Sequence, residues 1–174
     1  KTGQDPKLAF RLGNALSPDL QQYRLSLTPS ILDKVHANIK AGYGEFALFE
    51  IGKVHSKSEI DETGLPREFD RLCLVLSADE ITSKQRAGGS PYYLAKKYVE
   101  TVAGLDAAEL RLVKPEDSDV AGHQLFAQLL APFDPKRSAV VYIGKKLAGV
   151  VGEYAPSVKR ALKLPAYTAG FELF

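Results

Sequence analysis

SAVVYIGKKLAGVVGEYAP, residues 138–156, reads as two apolar runs joined by a short Gly-Lys-Lys turn, the pattern of a β-hairpin. Strands joined this tightly run antiparallel, because a parallel partner needs a crossover of a dozen residues or more. Working outward, six more runs read as strands: LAFRLGN (8–14), FALFEIGKVH (46–55), EFDRLCLVLS (68–77), ELRLVKP (109–115), QLFAQLLAPF (124–133) and YTAGFELF (167–174). Helices are interspersed without regular βαβ alternation. The expected class is therefore α+β, with a largely antiparallel sheet.

Two helices share the same punctuation. In SLTPSILDKVHANIKAGYG (26–44), Thr28 is the expected N-cap and Pro29 the first helical residue, where a missing N–H costs little. Ile31, Leu32, Val35 and Ile39 form the apolar stripe, and Gly42 is a left-handed stop. In GGSPYYLAKKYVETVAGLD (88–106), Ser90, Pro91 and Gly104 repeat the pattern around a stripe of Leu94, Tyr98 and Val102. A shorter helix begins at Pro156 and ends before Pro165. SKSEIDETGLPRE (56–68) is polar and turn-rich, and reads as a loop.

The 174 residues carry a formal charge of +2, with 45% hydrophobic and 25% charged residues. This is the composition of one globular domain, with no whole-chain charge that would draw it to nucleic acid or an acidic membrane. No apolar run approaches the roughly 20 residues of a membrane helix. The chain contains no methionine, which points to a piece of a longer protein. Its single cysteine, Cys73, lies in an apolar run and is expected to be an inert core residue.

Recognisable chemistry is sparse. No phosphate-binding glycine loop is present. His36, His55 and His123 have no metal-ligand spacing. YYLAKKYVE (92–100) interleaves tyrosine with lysine, but reads as a solvated face with a Lys96–Glu100 pair beside a core stripe that includes Tyr98. The remainder is three carboxylates. Glu50, Glu153 and Glu172 each punctuate an apolar strand. If those strands are neighbours, the acids decorate one sheet, as an acid/base pair or a Mg²⁺ site, or as structural ion pairs with Arg11, Arg24 or Arg137. The structural reading is preferred.

NALSPDLQQYRLSLTPSILDKVHANIKAG (14–42), ALFEIGKVH (47–55), LAKKYVETVAGL (94–105) and KRSAVVYIGKKLAGVVGEYAPSVKRALKLPAYTAGFELF (136–174) occur in that order. Together they resemble the catalytic-like core of the β chain of bacterial phenylalanyl-tRNA synthetase. Ala15, Asp134 and Ala155 depart from that family's usual Pro, His and His.

The resemblance implies a class II synthetase-like fold, a mostly antiparallel sheet flanked by helices, formed by residues 1–174 as one domain of a longer chain. It also implies a non-catalytic module. In the family the α chain carries out aminoacylation, and this part of the β chain supports assembly with the α chain and the remaining β-chain domains. ATP and Mg²⁺ are expected for the parent complex and no cofactor for this module. tRNA is a partner through the complex, and the location is cytoplasmic, away from membranes.

A working class II site clamps anionic groups with arginines. Aligned on Gly52-x-Val54, the first such arginine falls near Ser56, which is neutral. Glu50 is then expected to be a largely buried structural ion paired with Arg24, on a carboxylate-bearing sheet face that repels a triphosphate. The alternative from another class is a domain that retains a nucleotide or amino-acid ligand site on the same sheet.

Overall fold

In a computed structural model, residues 1–17, 21–85, 89–104, 109–120 and 123–174 are described. They form helices α1 (Thr28–Lys40), α2 (Glu80–Gln85), α3 (Pro91–Gly104), α4 (Gln124–Leu130) and α5 (Pro156–Leu162). The strands are β1 (Glu45–Val54), β2 (Phe69–Ala78), β3 (Leu110–Val113), β4 (Phe133–Ile143), β5 (Lys146–Tyr154) and β6 (Tyr167–Leu173). They make one six-stranded sheet in the order β1-β2-β6-β5-β4-β3, and every neighbouring pair is antiparallel. The hairpin expected at 138–156 is β4–β5, turning at Gly144 with φ +59°.

Register defines what shares a face. Glu50, Cys73, Glu172, Val150, Val140 and Val113 lie opposite one another across all six strands, so their side chains rise on the same side. That side is closed by α1, α4 and α5. Leu27, Ile31, Leu32 and Val35 from the α1 region, Phe126 and Leu129 from α4, and Val158 from α5 pack on Cys73, Val75, Val140 and Val150. The other side is covered by α3, whose Ala95 and Val99 pack on Leu76, Val151, Ala169 and Phe171.

Several expectations change. Residues 124–130 are helix α4, not a strand: Phe126 and Leu129, three apart, point one way into the core, a helical spacing that a short apolar run hides. Residues 8–14 contribute only an isolated bridge, Arg11 to Gln22. Helix α2 was not anticipated. It follows Asp79, whose carboxylate accepts the Thr82 N–H at 2.7 Å.

On α3 the buried residues are Pro91, Ala95, Val99 and Ala103, whereas Tyr98 is exposed. The small side chains let the helix approach the sheet, and the larger Leu94, Tyr98 and Val102 are displaced to the flank or the surface. Gly42 does adopt a left-handed conformation, φ +89°, after α1.

Candidate functional site

The three acids do not share a face. Glu153 is three residues from Val150 in an unbroken stretch of register with β6, so period-two alternation turns it to the side opposite Glu50 and Glu172. The expected carboxylate floor is thus reduced to two acids, separated by Cys73 on the intervening strand. Each has its own local partners.

Arg24 Nη1 donates to Glu50 Oε1 at 2.5 Å. The segment carrying Arg24 is fixed on the end of β1 by the His55 N–H, which donates to the Arg24 carbonyl at 2.9 Å. Gly52 leaves room for the guanidinium: a Cβ there would lie 3.1 Å from Arg24 Nη2 and 3.2 Å from Glu50 Oε1. The pair is wetter than the sequence suggests, with side chains 38% and 34% exposed. The reason is topological, since β1 is an edge strand and water reaches the pair from its open side.

Half-exposed pairs contribute little. In a double-mutant cycle, Arg24→Met and Glu50→Gln are expected to show a coupling of about 0.5–1 kcal/mol by chemical denaturation. Additive effects would show that the pair contributes nothing.

Glu172 is fully buried and, among the described residues, has no ion-pair partner; the ion-pair expectation is corrected here. Its carboxylate instead accepts from the Leu27 N–H at 2.9 Å, the Thr28 N–H at 2.8 Å and the Thr28 hydroxyl at 2.6 Å. Thr28 is accordingly not the N-cap. Leu27 occupies that position without a side-chain cap, and an acid from β6, 144 residues away in sequence, satisfies the start of the helix. An anion is favoured there by the helix dipole and unpaired N–H groups. Burial nonetheless pushes the Glu172 carboxyl above its usual range, outweighing the pull of these donors and of Arg71. Cys73, beside it, is fully buried, and burial pushes its thiol well up. That is the profile of an unreactive cysteine.

Glu153, 3% exposed, accepts from the Ser90 hydroxyl, from Lys159 Nζ at 3.1 Å and from Arg137 Nη1 at 3.2 Å. Burial alone would raise its carboxyl, but the Ser90 bond and the two cations hold it below the usual range. Ser90 also accepts the Tyr92 N–H at 3.1 Å, so this network ties the start of α3 to β5. Arg11 bonds the Gln21 side-chain oxygen at 2.8 Å rather than a carboxylate.

At the position where a first clamp arginine would fall, Ser56 is fully buried and its hydroxyl meets that of Ser58 at 2.8 Å. The histidines are dispersed: His36 is on α1, His55 packs edge-on against Tyr23 at 4.7 Å, and His123 precedes α4. Among the described residues, no group of three or more His, Cys, Asp or Glu is placed to hold a metal.

Sequence reasoning passed over Arg71. It is 4% exposed and shares a strand face with Cys73 and Val75, and the alternation R-x-C-x-V within RLCLVLS (71–77) carried that signal.

The six-stranded antiparallel sheet with helices on both sides is an α+β fold like that of class II aminoacyl-tRNA synthetases. Two structures of a pyrrolysyl-tRNA synthetase from Desulfitobacterium hafniense superpose on it. They give TM-scores of 0.61 and 0.57 at 12% and 16% identity, each covering 96% of this chain and 50% of that one. More specifically, residues 2–174 match the phenylalanyl tRNA synthetase beta chain CLM domain, and the chain belongs to that family.

Its relatives include the phenylalanine–tRNA ligase β subunits of Bifidobacterium longum, Thermobifida fusca and Rhodospirillum rubrum. These are 27%, 28% and 28% identical, over 98%, 96% and 98% of this chain. The chain spans only 22%, 22% and 19% of their length. Among the described residues, no helix is long and apolar enough to cross a membrane.

Proposed function

We propose that residues 1–174 act as a non-catalytic assembly module of a phenylalanine–tRNA ligase β chain, one domain of a longer chain. It packs against the α chain, which carries out aminoacylation in the cytoplasm, and supports the remaining β-chain domains. ATP and Mg²⁺ serve the parent complex, and tRNA meets the module as part of that complex.

The observation that carries this reading is an apolar strip on the edge of the sheet. Phe49 and Ile51 on β1 are 70% and 71% exposed. They lie opposite Leu74 and Leu72 on the face that α3 covers only over the inner strands. Exposed apolar side chains clustered on a long edge strand mark an interaction surface. The opposite face supports the absence of catalysis, since its central row is filled by α1 side chains and Ser56 offers no cation.

Phe49→Asp combined with Ile51→Asp is expected to abolish co-elution with the α chain in size-exclusion chromatography. Each exposed substitution should change stability by only about 0.5 kcal/mol. In the same preparations, the chain without α subunit should exchange pyrophosphate into ATP no faster than buffer. A retained complex would overturn the docking surface, and exchange above the blank would overturn the non-catalytic assignment.

A further inference from the structure

The small net charge of the chain is unevenly spread. Two recesses, of about 480 and 640 Å³, meet where β5 ends against the start of β4, and they share Arg137 and Glu153. Their walls carry six cations, Lys114, Lys136, Arg137, Lys159, Arg160 and Lys163, against two acids, Asp134 and Glu153. That local excess is larger than the +2 of the whole chain.

Both acids are already engaged. Glu153 is buried and holds Arg137 and Lys159, and the Asp134 carboxylate accepts the Lys136 N–H at 2.9 Å. Lys114 leans toward Glu116, 3.7 Å away. Lys136, Arg160 and Lys163 are exposed and form no ion pair among the described residues. Cations grouped along a concave surface raise the local concentration of a chain of anions.

One recess is also aromatic. Tyr92 and Tyr93, at the start of α3, line it together with Lys114, Lys136 and Arg137. Their rings meet edge to face at 5.6 Å, and Tyr93 is 66% exposed. Within YYLAKKYVE (92–100) it is therefore this pair, not Tyr98, that stands beside the cations. An open aromatic ring gives an unpaired base a surface to stack on, while neighbouring cations follow the phosphates.

We propose that the joined recesses bind a single-stranded segment of RNA, its phosphates on Lys136, Arg160 and Lys163 and a base on Tyr93. That the strand is RNA rests on the proposed place of the chain in a tRNA ligase. The groove leaves that assembly free to form, because the apolar strip proposed to meet the α chain is on β1, at the other end of the strand order from β4.

The test is fluorescence anisotropy of the chain with a labelled RNA of about 12 nucleotides, within the site sizes of such grooves. Affinity is expected to fall with salt at a log–log slope of about −2, the value for three phosphate contacts on a single strand. Lys136→Gln, Arg160→Gln and Lys163→Gln together should lose about tenfold or more and flatten that slope. Lys34→Gln, Lys40→Gln and Lys84→Gln together remove the same charge away from the groove and should lose less than about twofold. Tyr93→Ala should lose about fivefold or more for RNA and leave polyglutamate binding unchanged. All seven substituted side chains are exposed, so the variants keep the fold. No RNA binding by the unsubstituted chain, equal losses in the two triple variants, or polyglutamate bound as tightly as RNA overturns the proposal, the last outcome assigning the groove to an acidic protein. Co-elution with the α chain is a separate readout on the same samples and should survive every one of these substitutions. A failure of the assembly reading is thereby told apart from a failure of the RNA groove.

Discussion

Gly149→Ala is expected to destabilise the chain by about 3–5 kcal/mol, a large share of the roughly 5–15 kcal/mol that holds an ordinary domain folded. Gly149 has φ +150°, at the edge of the region that L side chains rarely adopt. Strain of that kind costs on the order of 1–3 kcal/mol. A Cβ would also press into the backbone of β6, overlapping the Glu172 carbonyl oxygen and lying 2.9 Å from Leu173 Cα. Neither atom belongs to a flexible side chain, so the sheet itself must move. Gly149 also sits beside the irregularity where the β4–β5 register shifts between Val141 and Tyr142, and a bulge of this sort re-aims the strand. Gly104 provides the control. A Cβ there meets nothing within 4 Å, and alanine at this helix end should be neutral or stabilising by up to about 1 kcal/mol. Urea denaturation of both variants measures the contrast, and a Gly149→Ala chain as stable as Gly104→Ala would refute the close approach.

Glu172→Leu is expected to cost about 3–5 kcal/mol, because it strands three buried donors, each worth about 1–3 kcal/mol when left unpaired. Glu172→Gln keeps one acceptor oxygen but turns an NH₂ toward the remaining donors, so its cost should be intermediate. The pH dependence has a definite sign. Burial raises the Glu172 carboxyl in the folded chain above its ordinary range, so the native state holds this proton more tightly than the unfolded state does. The associated stability is fully present below the unfolded chain's ordinary carboxylate range and is lost as pH rises through the raised folded value. Glutamine cannot titrate. The stability difference between the unsubstituted chain and Glu172→Gln should therefore grow as pH falls from 7 toward 4. A difference that shrinks on acidification would mean that the three donors, rather than burial, dominate this carboxyl.

The antiparallel sheet was legible in the sequence because its evidence is local. The Gly-Lys-Lys turn at 144–146 requires a hairpin, and alternating runs such as FALFEIGKV (46–54) have a single pleated reading. Helix α1 was legible for the same reason, from Pro29 and Gly42. What the sequence concealed depends on distance. QLFAQLL (124–130) is too short to reveal its period, and only its packing on the sheet makes it helical. Tyr98 looks like a core residue until α3 is seen to approach the sheet through Ala95, Val99 and Ala103.

The acids divide along the same line. Arg24 stands near Glu50 in sequence, and the two meet at 2.5 Å, but how wet the pair is depends on which strand lies at the edge. Glu172 caps a helix that begins 144 residues earlier, a relation no local pattern encodes. Arg71 carried an alternation signal and was passed over because its run is otherwise apolar.

The strand order has a consequence for how the chain is made. β6, the last of the six strands in sequence order, lies in the middle of the sheet between β2 and β5. On one side it pairs with β2, in a register that joins Cys73 to Glu172. Chains emerge N-terminus first at about 5–20 residues per second, so β1–β2 and β3–β4–β5 leave the ribosome as two separate ribbons with open inner edges. The first turn of α1 emerges with its N–H groups still waiting for Glu172. The ribosome must release nearly the whole domain before the central seam can close. Until then, two unpaired strand edges are available to wrong partners, and this is when a newly made chain has most need of a chaperone.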